Sequence, residues 1–402
     1  MPETHDVQPI PSDRLTALAL ALSLGAALSL GITRFAYGLL LPPMRLDLGW
    51  SYTLAGAMNT VNALGYLIGA LSMPMLLRRW GVGRVLLGGA LMATLFMAGS
   101  GFFVQSVPLL LQRLLAGVAS AMVFVSGGLL AARLGALEPK RSGFLLGLYY
   151  GGTGFGIVFS ALAVPWVLDW AAPIAHGWAW AWWVLSLACL LATWVLAWPA
   201  RVLASLQTPT VSSSARATRQ FIWKDFSFAL MGYGLFGVGY IGYMTFVIAL
   251  LRERGTSALW VTVFYALLGL AVLASSRLWA GLLDRYKGGQ VLALLNALLG
   301  LATLLPAITS DWPMILVSGV LFGAVFLSVV ASTTTLVRHN LPQTAWASGI
   351  SGFTIVFAAG QIIGPTVVGK IADGPGGLAS GLVYSAIALW LGALFAWRQR
   401  PL

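Results

Sequence analysis

The sequence predicts an all-α polytopic membrane protein, with twelve transmembrane helices arranged as two six-helix halves in parallel repeat. Three observations carry that prediction. Hydrophobic residues fill 59% of the 402 positions and charged residues only 8%. With a mean hydropathy of +0.88, the chain has more apolar surface than a water-soluble fold could cover. The apolar residues fall into twelve runs near the length a bilayer requires, about 20 residues each. Finally, a single offset of 206 residues holds across five helices, laying the first half over the second.

The first run, 15–43, contains "LSLGITRFAYGLLLPP", in which Arg34 is the lone charge. Run 51–77 sets Asn59, Asn62, Tyr66 and Gly69 on one face and closes at Arg78–Arg79. Runs 82–104 and 107–132 follow, the second with Arg113, Gly117 and Ser120 sharing a face. Run 142–168 starts after Lys140–Arg141 and carries "GLYYGGTGFG", with Gly147, Tyr149, Tyr150 and Gly151. Run 177–199 opens on tryptophans that read as an interfacial belt. It also holds the single cysteine, Cys189, which excludes an internal disulfide or a cysteine-built metal site.

In the second set, run 226–251 spaces Tyr233, Gly237 and Tyr240 at i, i+4 and i+7. Runs 257–283 and 289–309 flank the charged stretch containing Asp284, Arg285 and Lys287. Run 312–337 has Ser328, Ser332 and Thr335 on one face, and run 344–371 has Thr354, Phe357 and Gln361. Run 378–397 ends against Arg398 and Arg400. All read as helices by length, because a strand barrel would show ten-residue alternation.

The longest polar gap, 200–224, reads as a linker between an N-terminal half (15–199) and a C-terminal half (225–398), with short tails at 1–14 and 399–402. Seventeen Lys and Arg residues fall on the side of both termini, and only Arg45, Arg252, Arg254 and Lys370 fall on the other. The positive-inside rule then puts both termini and the linker in the cytoplasm, as for a multi-pass protein of a bacterial inner membrane. The net charge of +12 thus reports topology, and no nucleic-acid partner is expected. The polar N-terminus lacks the basic start of a cleaved signal, so the first span is expected to be retained.

The repeat is visible residue by residue. The offset pairs Gly31 with Gly237, Arg34 with Tyr240 and Tyr37 with Tyr243, and sets "LLRRWGVGRVL" on "LLDRYKGGQVL". It also pairs Gly117 with Gly323 and Gly154 with Gly360. Six spans separate the copies, so both halves share one topology, related by an axis along the membrane normal.

These motifs resemble the major facilitator superfamily over nearly the whole chain. "QRLLAGVASA" (112–121) is similar to its fourth-helix motif Arg-x-x-x-Gly-x-x-x-Ala, with Arg113, Gly117 and Ala121 in register. "GLYYGGTGFG" (147–156) is similar to the fifth-helix motif of its antiporters, with Gly151–Gly152 where Gly–Pro is usual. The loop motif Gly-x-x-x-Asp-Arg-x-Gly is half present, as Asp284–Arg285, while Arg78–Arg79 with Gly81 and Arg84 stands at the first-half copy. "GITRFAYGLLLPPM" followed by "NALGYLIGAL" resembles the YbfB/YjiJ-type subgroup. The resemblance implies a transporter working by alternating access. It also implies a gating set of Arg78, Arg79, Gly81, Arg84, Gly117, Gly147, Gly151, Asp284 and Arg285.

Only Arg34 and Arg113 are charged deep within a run. A buried arginine costs roughly 2.5–3.5 kcal/mol to insert and usually faces a bundle interior or wet cavity. At 1.5 Å per residue the two sit about 13 and 9 Å below their helices' outer ends, at similar depths. The candidate substrate contacts are therefore Arg34 and Arg113, with Tyr37, Asn59, Asn62, Tyr66, Tyr149, Tyr233, Tyr240 and Gln361 as hydrogen-bonding neighbours. A cavity-facing arginine suits an anion, bidentately if a carboxylate. The expected cargo is a small organic anion, moved with or without protons by a monomer in the bilayer. The alternative is export of uncharged or amphipathic compounds, with both arginines structural. An enzyme is not expected, since His5, His176 and His339 are scattered and no Walker sequence occurs. No cofactor or metal is expected either.

Overall fold

The computed structural model describes residues 12–204 and 220–402. Most of the N-terminal tail and linker positions 205–219, with Arg216 and Arg219, lie outside the described residues. Among the described residues, twelve helices are long and apolar enough to cross a membrane. They are α1 (Asp13–Leu48), α2 (Tyr52–Trp80), α3 (Val82–Ser100), α4 (Ser106–Leu137), α5 (Ser142–Trp170) and α6 (Trp178–Ala204). The second half has α7 (Ser227–Glu253), α8 (Ala258–Leu278), α9 (Gln290–Ile308), α10 (Trp312–Asn340), α11 (Trp346–Ala372) and α12 (Gly377–Trp397). A short helix, Ala280–Arg285, extends α8. Several helices outrun their apolar cores. Pro42–Pro43 does not end α1; the stop is Gly49, whose φ of +64° suits a left-handed cap, its N–H donating to Arg45 O.

Within each half the packing repeats. In the first, α1 lies on α5 and α2 on α4; in the second, α7 lies on α11 and α8 on α10. Small residues set the approach, since lipid gives no hydrophobic drive for helices to associate. A Cβ on Gly31 would stand 2.6 Å from Thr153 O and Gly156 Cα, and one on its repeat mate Gly237 would stand 2.6 Å from Phe357 O. Across the halves, α2 packs on α11, α5 on α8, and the end of α1 on α7.

Helix α1 is not regular. Residues Ala27–Phe35 are wound as a π-helix, all nine buried, and the α-helix resumes at Tyr37. A widened turn turns carbonyls away from the helix axis, and in hydrocarbon each needs a donor. Thr33 Oγ1 donates to Leu28 O (2.7 Å) and Ser120 Oγ to Ser29 O (2.6 Å). Arg113 Nη1 donates to Thr33 O (2.8 Å) and Tyr265 OH to Phe35 O (2.8 Å). Three of these four donors come from other helices, so the tertiary fold holds the distortion in place.

Hydrogen bonds join the halves at the level of Arg34 and beyond it, toward the face opposite the chain ends. There Asp373, just past α11, caps α2 of the other half. Its Oδ1 accepts from Tyr52 N (2.7 Å), and its Oδ2 accepts from Thr53 N (2.9 Å) and Thr53 Oγ1 (2.6 Å). A carboxylate is favoured at a helix N-terminus by the orphan N–H groups and the dipole. Tyr52 OH also donates to Glu253 Oε1 at the tip of α7, with Arg45 lying 3.8 Å over the Tyr52 ring. Thr60 Oγ1 donates to Ile362 O (2.8 Å), and Tyr52 and Phe246 meet edge to face. This far face is latched. Toward the basic face, Arg277 of α8 lies over Phe144 of α5 at 5.4 Å.

Two outcomes follow from these contacts. Gly31→Val places atoms against backbone that cannot give, and overpacking of this kind costs about 1–3 kcal/mol or more. Thermal unfolding in detergent should show a clear drop in Tm, while Gly88→Ala, with open space around it, should leave Tm nearly unchanged. At Asp373, partial burial raises the carboxyl pKa. Hydrogen bonds from Thr53 and Tyr52, with the charge of Arg45, outweigh that and hold it below the ordinary 3.8. The latch is thus at full strength above that ordinary value and is lost as pH falls through the lowered one. Asp373→Asn, which mimics protonation, should loosen it at neutral pH. Spin labels on Leu46→Cys and Leu259→Cys, both exposed positions on the far face, should then report a population at longer distance. Wild type should show no such change between pH 5 and 8.

Candidate functional site

The central polar group lies where α1, α2, α7 and α11 meet. Arg34, in the π-wound segment, is 3% exposed. Its Nη2 donates to Oε1 of Gln361 on α11, and the same oxygen accepts from Tyr240 OH of α7 (2.9 Å). The guanidinium carbon sits 5.8 Å from the centre of the Tyr66 ring on α2. Nε of Arg34 is buried without a hydrogen-bond partner, and among the described residues no carboxylate lies within ion-pair distance. Gln361 is 2% exposed. An uncharged amide oxygen from one half therefore solvates a charge from the other without neutralising it.

Arg113 occupies a separate layer. It reaches the same stretch of α1 as Arg34, its Nη1 donating to Thr33 O, but its remaining partners differ. Besides Thr33 O, Arg113 donates from Nη2 to Asn59 Oδ1 (2.9 Å). It lies over the rings of Tyr37 (4.8 Å) and Trp182 (5.7 Å), which add cation–π attraction. Asn59 Nδ2 continues the chain to Thr245 Oγ1 on α7 (2.8 Å), and Asn62 Nδ2 donates to Arg113 O (3.0 Å). This layer joins α1, α2, α4 and α7 through internal hydrogen bonds, although Nε of Arg113, like that of Arg34, is buried without a partner.

Of the ten candidate contacts, the fold thus brings Arg34, Tyr66, Tyr240 and Gln361 together. Arg113, Asn59, Asn62 and Tyr37 form the layer above, where Tyr37 OH donates to Ala55 O (2.8 Å). Tyr149 is buried between helices, its hydroxyl on Phe124 O (2.8 Å). Tyr233 is one ring of a stack with Phe236 and Phe357. Further along α6, Trp182 is interior, its ring 5.7 Å from the Arg113 guanidinium carbon. Among the motif residues, Arg78, Arg79, Asp284 and Arg285 are exposed on the basic face. Gly81, at φ +76°, caps α2, and Arg84 lies in the first turn of α3. Gly147 lies along α5, Gly151 faces Leu273 of α8, and Gly117 presses on Asn62 O. The latch residues Tyr52, Thr53, Glu253 and Asp373 escaped the sequence reading. The available signal was an acid just past a helix end, which is too common at span ends to stand out. No group of three or more His, Cys, Asp or Glu side chains converges among the described residues.

Comparison with known proteins agrees with this architecture. A family model described as an uncharacterised major-facilitator-type transporter, YbfB, matches residues 26–397. A Streptomyces lividans protein named chloramphenicol resistance protein is 27% identical over 390 residues, 92% of this chain and 94% of that one. The crystal structure of a bacterial homologue of the human lysosomal transporter Spinster, inward-facing and occupied, superposes with a TM-score of 0.73. It covers 97% of each chain at 15% identity. The nucleoside transporter NupG superposes with a TM-score of 0.71 over 96% of this chain and 100% of its own, at 12% identity. At such identities the structural likeness is one of fold.

The two arginines should separate by stability. Removing Arg113 as Arg113→Gln leaves buried Thr33 O and Asn59 Oδ1 short of a donor, at about 1–3 kcal/mol. Arg34→Gln removes a charge that has one weak acceptor, and should leave Tm close to wild type. Differential scanning fluorimetry of both variants, purified alike, measures the difference.

Proposed function

The chain belongs to the family of YbfB-type major facilitator transporters, and from that membership we propose that it is a secondary active transporter of a small organic anion. The cargo is a carboxylate, seated on Arg34 and carried by alternating access. One observation carries the reading: a buried guanidinium at the junction of the halves, whose partners are an amide oxygen and a tyrosine ring rather than an acid. An uncompensated positive charge in low dielectric attracts an anion and repels a cationic drug. A carboxylate is a stronger and bidentate acceptor than an amide, so it displaces Gln361 Oε1 and engages the free Nε as well. Gln361 and Tyr240 then turn their N–H and O–H groups to the bound carboxylate.

Because Arg34 and Gln361 belong to different halves, cargo exchange acts on the contact that joins them. That supports rocking of the halves about a midplane site. The positive-inside bias puts the basic face in the cytoplasm of a bacterial inner membrane. With the far face latched, cargo reaches Arg34 from that side. A monomer holds the complete site, and since no acid lies at the seat, a proton travels with the carboxylic acid, through a tyrosine–arginine contact, or not at all.

A second reading, export of uncharged or amphipathic compounds with both arginines structural, is favoured by the stacked rings beside Arg34. The similarity to the chloramphenicol resistance protein also favours it. Purified protein in liposomes separates the two. The anion reading expects counterflow of labelled carboxylates that Arg34→Gln reduces at least tenfold, with Arg34→Lys partly active but lacking bidentate binding. Carboxylate flux unaffected by Arg34→Gln would end it. Flux with and without a pH gradient identifies the coupling.

A further inference from the structure

The walls around Arg34 are unusual in composition, and they bear on what the carboxylate is attached to. From α7 and α11 a series of nearly parallel rings runs toward the seat. Tyr233 and Phe357 lie 4.9 Å apart at 18°, Phe357 and Phe236 5.3 Å apart at 9°, and Phe236 and Tyr240 4.8 Å apart at 20°. Tyr240 is stacked in turn on Phe326 of α10, 6.0 Å apart at 7°. The ring whose hydroxyl bonds Gln361 therefore lies within the stack, between Phe236 and Phe326. On the other side stands the first half's Tyr66, over which Arg34 lies. Tyr150 and Phe124 continue that wall toward the basic face, their rings 5.7 Å apart. Most of the stack is closed core, but Tyr66 and Phe357 are only half-buried and Tyr150 is 40% exposed.

Resting on the anion reading above, we propose that the cargo is a planar aromatic carboxylate. Its carboxylate sits on Arg34, and its ring lies between Tyr66 of the first half and the Tyr240–Phe357 edge of the second. Aliphatic side chains would serve any apolar body equally well. Rings on two opposed walls, already in parallel register on one of them, favour a flat π-system through offset stacking. A ring is also rigid, so little conformational freedom is lost when it is held between the halves. Tyr66 and Phe357 are then specificity residues drawn one from each half, so the ring of the cargo, like its carboxylate, touches both moving bodies.

The test compares benzoate with cyclohexanecarboxylate, which match in charge and nearly in size but differ in flatness and π-character. Counterflow in proteoliposomes should show a KM for benzoate about two- to tenfold lower. Tyr66→Leu and Phe357→Leu should each erase most of that preference, lowering benzoate transport several-fold more than cyclohexanecarboxylate transport. A matching Tm for each variant checks the fold, and either variant suffices if the other fails to purify. Equal, Arg34-dependent transport of both acids would overturn the aromatic proposal and leave the anion reading standing. If neither acid is transported, nor any carboxylate in a wider panel, the anion reading falls and this proposal with it.

Discussion

A guanidinium placed against a carbonyl holds the first half of this molecule together. In hydrocarbon a backbone that departs from the α-helix must find donors for the carbonyls it frees. Helix α1 departs from it for nine residues, and Arg113, Ser120 and Tyr265 supply donors from α4 and α8. The dependence is mutual. Arg113 is tolerable in the membrane because Thr33 O and Asn59 accept its protons while two aromatic faces cover it. Arg34 is presented to the centre of the protein by the segment so stabilised. The position of the candidate seat is thus set by an arginine in a different layer.

The internal repeat makes this argument by contrast. The 206-residue offset carries Arg113 to Gly319 and Ser120 to Phe326, neither of which has a side-chain hydrogen to donate. The matching helix, α7, is α-helical throughout Ser227–Glu253. Where a side chain would stand at Gly319, the Phe264 ring lies within 2.8 Å of a Cβ. Yet the inter-half contacts stay paired under the same offset. It carries Asn59 to Tyr265, and these two reach from α2 to α7 and from α8 to α1. A shared scaffold was retained, while the charge and the distorted helix were confined to one half.

How much of this was legible in the sequence follows from which forces are local. Span number, the repeat and the basic bias depend on composition over twenty-residue windows, and those survive in any packing. The choice of Arg34 and Gln361 as neighbours was reachable as membership of a polar set, but their pairing was not. Helical period says which residues share a face, not whether that face meets another helix or a cavity. Tyr149 and Tyr66 look alike along the chain, and only packing puts one hydroxyl on Phe124 O and the other ring beside Arg34. The π-wound segment left no mark beyond Gly31 and Thr33, because its cause lies in α4 and α8. Asp373 was hidden for the opposite reason, since charges at span ends are ordinary.

On the proposed function, the latch and the seat together give alternating access a physical sequence. To open the far face, the molecule must uncap α2 from Asp373 and part Tyr52 from Glu253 and Asn59 from Thr245. Each leaves polar groups that water can satisfy at the outer end but not at the midplane. The midplane contact Arg34–Gln361 is therefore the costly one to separate. On the proposed function, a carboxylate taking the place of the Gln361 oxygen would remove that cost, because the guanidinium would keep an acceptor while the halves move. Empty, the protein would have to bare a buried charge to cross. Loaded, it would not, and that difference would tie movement of the halves to possession of cargo.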